Sequence, residues 1–588
     1  ASGYGARIAR ELGQGASARG RRSLHELEAI APGHPEAQRA RARFVARAQE
    51  RVDAAAKATD AAERVDALTE ALRIWPGLEA AAAAYPGAFA AVPTLEVAVL
   101  DVPRPVGPWV RSPVDERVWR LCYPSILAGA GEEATRGEPP GQLAAALEVV
   151  DLGRGLRIAV RRGPSWSGDP PRPVTAADVV RTLVDRADPR SPGFQARWAD
   201  LVERIEAADE ARVEVRLRRV LLKPEAWLLG PVAPAHAGRD GRVATAAGPR
   251  PVGAAPFWPE SAAEGSALFV APAGAGPKIR RIIERRLPDA AAAVEALVRG
   301  DVSLLEHVAP DRVPVLARDP AIRIGRYEAP SLHWIALDAR TPALLNRTLR
   351  RGLSLALDRA AILPEAVLKR PPGDRDRVAD GPFPAGSYAD APGVRPLECD
   401  ATLARLLVAA ARRELGGDPI RLTLEFPATP EAQAAAPRIA AALRQAGLEI
   451  APRERPPAAL EAELRAGRRF DLAYRSGRCG EPVQDAGPRL RPGYDAPPAA
   501  DGLGALASSR IRRLLLDLER AQDWPSARTL VLQIDREARD ELPIVPLWQL
   551  QDHYAWRTRL RGPGPSAAHL YQEVASWEID PWFAKDPW

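Results

Sequence analysis

The chain changes its sequence pattern at Pro93, and that break limits how it can fold more than any other feature. Before it, Ala, Arg, Glu and Leu dominate from Gly20 to Ala84 and β-branched residues are few, so residues 1–92 read as helical throughout. Two stretches there look alike, Leu27 to Ala37 and Leu72 to Ala80. Each is an apolar helix end, then a Pro-Gly break (Pro32-Gly33, Pro76-Gly77), then a new Glu-Ala start. The breaks are 44 residues apart, against about 34 for a tetratricopeptide unit. The segment therefore reads either as a tetratricopeptide-like helical module or as a plain helical spacer. After Pro93, Thr94-Leu95-Glu96-Val97-Ala98-Val99-Leu100 alternates with period two, which predicts a strand. Strands are also expected at 156–160, 212–217, 267–271, 334–337, 421–426 and 544–548. Helices are expected at 176–186, 290–299, 346–358, 401–415, 431–446 and 510–521. That mixture predicts an α/β body.

Length and charge exclude several classes. With 588 residues, large buried cores are no difficulty. The net charge is +6, and the five Lys leave 77 Arg among 82 basic residues. Heavy Ala use accompanies that Arg excess, which fits biased codon usage. Bases and acids interleave, as in Arg280-Arg281-Ile282-Ile283-Glu284-Arg285-Arg286, so no nucleic-acid partner is expected. The most apolar run, Ala80 to Leu95, is broken by Pro86, Gly87 and Pro93 and does not read as a membrane span. Ala1 opens no signal peptide, so the chain is expected either to be cytoplasmic or to follow a removed leader. Met is absent, where average usage gives about a dozen. This is consistent with a processed N-terminus and with methionines missing from the sequence, and a measured intact mass equal to the 63.3 kDa of this sequence would exclude the second. Cys122, Cys399 and Cys479 are far apart, which allows one disulfide at most and argues against a cysteine zinc site.

A series of segments after Pro93 occurs in a specific order. Gly141-Gln142-Leu143-Ala144 to Val149 precedes Leu156 to Gly163, Trp166-Ser167-Gly168 and Pro173-Val174-Thr175-Ala176-Ala177-Asp178-Val179. Pro251 to Phe257, Leu297-Val298-Arg299-Gly300-Asp301-Val302, Trp334 to Asp338 and Leu349 to Arg359 come next. Phe470-Asp471-Leu472 and Leu542-Pro543-Ile544-Val545-Pro546-Leu547 close the series. Together they resemble the family 5 extracellular solute-binding proteins, the dipeptide, oligopeptide and nickel receptors of ABC importers. The resemblance covers residues 93–588 and leaves the first 92 outside it. It implies a two-lobed, hinged periplasmic-binding-protein-like fold, with the second lobe at roughly 275–540. Thr175 with Asp178 reads as a capping box, a fold marker rather than a chemical group.

No catalytic constellation accompanies these markers. The sequence has no G-x-S-x-G, H-E-x-x-H or P-loop motif, and its seven His lack metal-ligand spacing. Neither enzymatic activity nor a cofactor or metal is expected. The resemblance instead implies a cleft whose acid holds a ligand ammonium. Glu481 or Asp485 can fill that role, and Arg475 or Arg478 can pair a ligand carboxylate. Tyr123, Trp258, Trp334 and Trp548 can line a pocket, and Asp338 stands where the family usually has Asn. The expected partners are a peptide or other small solute, an ABC permease, and a protein reached through the N-terminal helices. The expected location is the periplasm or cell envelope, with an export signal or anchor upstream of Ala1. The alternative is a non-transport scaffold that reuses the fold for assembly.

Overall fold

The computed structural model describes residues 2–102, 108–109, 113–127, 143–167, 170–222, 224–243, 250–272, 276–394, 397–490, 508–583 and 586. Gly141, Gln142 and Gly168 of the ordered series lie outside them. Five helices fill the N-terminal part: α1 (Ser2–Gly13), α2 (Ser17–Ile30), α3 (Pro35–Lys57), α4 (Ala61–Ile74) and α5 (Glu79–Ala91). The Pro-Gly breaks separate α2 from α3 and α4 from α5, as the sequence predicts. Side chains start two of these helices: His34 Nδ1 accepts from Glu36 N at 3.1 Å and Asp60 from Glu63 N at 3.2 Å, satisfying amides with no intrahelical partner. Leu24, Leu27, Ala40, Phe44 and Ile74 form a small core of their own.

The helices are not an independent unit. Val65, Leu68, Ala71, Tyr85 and Phe89 share one core with Leu95, Val97, Ile282 and Trp577 of the α/β body. Arg21 grips Asp586 through two bonds of 2.7 Å, and Arg281 grips Asp66 at 2.8 and 3.0 Å.

The first lobe is built on an eight-stranded mixed sheet in the order Trp258–Ala263, Ser266–Val270, Arg281–Arg286, Thr94–Val99, Leu304–Leu305, His553–Arg557, Ile322–Tyr327 and Ser566–Ala567. A separate four-stranded antiparallel sheet, Ala144–Val150, Gly155–Val160, Arg212–Leu217 and Val202–Asp209, shares its core. The capping box forms at the start of helix Ala176–Ala187, where Thr175 N donates to Asp178 Oδ2 at 2.8 Å.

The second lobe holds a six-stranded sheet: Arg377–Val378, Ile544–Leu550, Ser331–Leu337, Leu472–Arg478, Arg421–Pro427 and Glu449–Arg455. Ser331–Leu337 and Ile544–Leu550 are buried along their whole length. Apolar clusters cover both faces of the sheet, which accounts for their nearly unbroken apolar runs. The second lobe does not begin near residue 275. The strands at Arg281–Arg286, Leu304–Leu305 and Ile322–Tyr327 all belong to the first lobe's sheet, and the sheets divide at residues 328–330.

Two short links therefore join the lobes, residues 328–330 outward and 551–552 back. They are tied to one another. Gln551 Nε2 donates to Tyr327 O at 2.6 Å, and Ser331 Oγ donates to Asp552 Oδ1 at 3.0 Å.

Gly300 shows how tightly the first lobe is closed. It ends helix Ala290–Arg299 at φ +87°, and its N–H donates to Ala296 O and Leu297 O. A Cβ here would overlap the Trp582 indole. Gly300→Ala combines left-handed strain with that clash and is expected to cost about 2–4 kcal/mol. The shift in urea midpoint measures it, and a loss below about 0.5 kcal/mol contradicts the packing described.

Candidate ligand-binding crevice

The lobes face each other across a gap that their own side chains bridge. His307, just after strand Leu304–Leu305, meets Glu431 in the first turn of helix Pro430–Gln445 at 2.7 Å. Asp311 meets Lys369 at 2.9 Å. Glu519 of the second lobe lies 3.4 Å from Arg197 and 3.5 Å from Arg219 of the first. Arg478 Nη1 donates to Ala568 O at 3.4 Å, and the same guanidinium lies 3.5 Å from the centre of the Tyr327 ring.

Between the lobes runs a narrow crevice open to solvent. One wall comes from the first lobe: Arg197 and Leu201 on the short helix Ala196–Leu201, then Arg219, Leu221, Leu222 and Trp227. The other comes from the second lobe: Glu481, Val483 and Gln484 at the start of helix Pro482–Leu490, Leu518 and Glu519 at the end of helix Ser509–Glu519, and Ala521 and Trp524 after it. Arg197 lies 4.9 Å from the Trp227 ring centre. The crevice thus offers two carboxylates, two guanidiniums and two indoles around an aliphatic floor, which suits a solute with charged ends and an apolar middle.

Of the residues singled out from the sequence, Glu481 lines this crevice and accepts a hydrogen bond from the Tyr388 hydroxyl. Asp485 is one helical turn further on and is already engaged. It accepts from Gly480 N at 2.8 Å and Arg489 Nη2 at 3.1 Å, while burial raises its pKa. Arg475 pairs with Glu461, and it and Arg489 each lie 5.6 Å from the buried Trp334 ring. Trp334 Nε1 is buried without a hydrogen-bond partner. Arg478 sits in the gap itself.

Tyr123 and Trp258 both lie in the first lobe. A Cβ added to Gly253 would meet Cys122 O and the Trp258 ring. The Tyr123 hydroxyl is buried with no partner, and burial holds its proton on. Asp338 lies apart from all of these. It is fully buried at the end of Ser331–Leu337 remote from the links, salt-bridged to Arg340 at 2.6 Å and accepting from Phe470 N at 3.1 Å. Its bonds fasten the strand end to the preceding loop of Leu472–Arg478.

The sequence reading missed Trp227, Trp524, Glu519, Arg197 and Arg219. They fall outside the recognised segments and converge only through the fold. Among the described residues, no group of three or more His, Cys, Asp or Glu could hold a metal ion, and no helix is long and apolar enough to cross a membrane. All three cysteines are free.

Two lobes on paired crossing links, with a crevice between them, define the class of periplasmic binding proteins. The chain belongs to the bacterial extracellular solute-binding proteins, family 5, whose middle-region model matches residues 138–486. Similar solved structures include the DppA periplasmic binding protein of Helicobacter pylori in complex with the peptide STSA, at TM-score 0.68 and 15% identity over 83% of this chain and 98% of that one. The oligopeptide-binding protein AppA of Bacillus subtilis, in complex with a nonapeptide, aligns at TM-score 0.70 and 18% identity over 84% and 99%. NikZ of Campylobacter jejuni, in complex with Ni(L-His), aligns at 0.67 and 15% over 82% and 99%. No curated protein sequence matches the chain.

Proposed function

We propose that the protein is the extracytoplasmic receptor of an ABC importer and captures a peptide or peptide-like solute by closing its lobes. The closed receptor then presents the solute to a membrane permease. The interlobe crevice carries this reading, because the first lobe contributes two guanidiniums and an indole to it and the second lobe two carboxylates and an indole. A ligand touching both walls favours closure in proportion to contacts made only in the closed state. Glu481 is assigned to the solute's ammonium, and Arg197 or Arg219 to its carboxylate.

Mass spectrometry of small molecules released from the denatured protein tests the reading. It is followed by thermal unfolding with the peptides so identified. Ligand at a hundred times its Kd adds about 2.7 kcal/mol to stability. Glu481→Gln is expected to weaken binding at least tenfold, read by calorimetric titration, with stability in the absence of ligand little changed. Release of no solute, together with no response to peptide libraries, rejects the receptor.

The scaffold reading draws on one observation. The lobes are already bridged by the chain's own pairs, His307–Glu431, Asp311–Lys369 and Glu519 with Arg197 and Arg219. A scaffold self-associates or captures a protein and ignores solutes, so the same experiment separates the two.

A further inference from the structure

Glu519 stands where its own helix does not favour a carboxylate. It is the last residue of Ser509–Glu519, whose final turn carries Asp517 and Glu519 and no base, so it lies at the negative end of the helix. Its compensation comes from across the gap. Arg197, on the first lobe's short helix, reaches one Glu519 oxygen at 3.4 Å. Arg219, just after strand Arg212–Leu217, reaches the other at 3.5 Å.

The two guanidiniums are set in the opposite wall. Arg197 lies 4.9 Å from the Trp227 ring centre, and Trp227 in turn stacks on the buried Trp198 at 6.5 Å. Arg219 is half-buried, and its Nε is buried without a hydrogen-bond partner. All three members of the contact line the crevice, and Arg197 and Arg219 are the bases in its lining. A carboxylate held between two guanidiniums is also the arrangement by which this crevice would take the carboxylate of a solute. A solute that enters therefore meets both bases already engaged by an acid of the chain itself.

We propose that Glu519 is a tethered stand-in for the solute's carboxylate, holding Arg197 and Arg219 until a carboxylate on the solute displaces it. The proposal rests on the receptor reading and deepens it, because it makes Glu519 a specificity-determining residue. A solute that ends in a carboxylate replaces Glu519 like for like and leaves both guanidiniums paired. A solute that ends in an amide cannot, since two partly desolvated cations would lose their counter-charge. The acid-bearing solute gives up part of its affinity to this competition. Specificity is a difference of affinities, and Glu519 acts on one side of that difference alone.

The test titrates the full chain and Glu519→Gln calorimetrically with a tripeptide library, each member as the free acid and as the C-terminal amide. Glu519→Gln is expected to tighten the free acids at least tenfold more than the amides. Damaged folding cannot produce such a gain. Adding Arg219→Gln to Glu519→Gln is expected to remove the difference between the two series, as a coupled pair requires. Glu481→Gln takes the same charge out of the same crevice and is expected to weaken both series, which separates displacement from a general change of field. Equal changes for acids and amides, weaker binding of the acids, or a gain that survives Arg219→Gln each overturn the proposal. If the parent binds tripeptides and Glu519→Gln binds them identically, the proposal alone falls. If neither protein binds any member of either series, the receptor reading falls and takes the proposal with it.

Discussion

Arg117→Met destabilises the protein by about 3–5 kcal/mol at neutral pH, the largest single-residue effect expected here. Arg117 is buried in the first lobe and donates to both oxygens of Glu284, at 2.8 and 2.9 Å, and to Asp101 O at 2.8 Å. It is also paired with Glu306. Glu284 is 0% exposed in the middle of Arg281–Arg286, and its carboxylate also accepts from the Tyr571 hydroxyl at 2.7 Å. Removing the guanidinium leaves two carboxylates facing each other without a cation. Urea unfolding at neutral pH measures this, and a loss under about 1 kcal/mol contradicts it.

The second large effect concerns the contact between lobes. Burial on its own would lower the His307 pKa, but the Glu431 carboxylate overrides it and raises the imidazole to about 9, while His307 in turn lowers Glu431 against the pull of burial. Glu306, Asp552 and His553 face this pair from the first lobe and the links, and His333 and Tyr474 from the second lobe. Glu306 is held by Arg117, Asp552 by Ser331, and Tyr474 by His333.

A raised histidine pKa stabilises the folded, closed form fully below the ordinary value near 6.5. That contribution is lost as pH climbs through about 9. The lowered Glu431 acts oppositely and loses its contribution only at acid pH. Between those limits the pair holds the lobes together. The radius of gyration from solution scattering, without added solute, is expected to increase as pH rises from 7 to 10. Glu431→Gln is expected to remove that dependence and cost about 3 kcal/mol at pH 7. A flat profile in the parent protein rejects this role.

Much of the fold was legible because it is local. Alternation at Thr94–Val99, apolar runs at Ile544–Leu550 and the Thr175 capping box each state their structure within a few residues. Sheet membership is not local. Nothing in the residues of Arg281–Arg286 assigns it to either lobe; its pairing with Thr94–Val99 and Ser266–Val270 places it in the first. The site divides in the same way. Glu481 was found because it follows a recognisable segment, whereas Trp227 and Trp524 reach the crevice from segments with no pattern of their own. Asp338 looked like a cleft residue by position along a strand end, but its carboxylate is consumed by Arg340 and Phe470 N. The seam under the helices could not be foreseen, since Arg21 and Asp586 are 565 residues apart in sequence.

The two links also set the order in which the protein can be finished during synthesis. Strand His553–Arg557 belongs inside the first lobe's sheet, between Leu304–Leu305 and Ile322–Tyr327. A growing chain therefore emerges from the ribosome with that sheet split open until residue 557 has been made, while the excursion from 331 to 550 already holds all six strands of its own sheet. The lobe begun first is completed last. During that interval its unpaired strand edges are where a chaperone has most to protect.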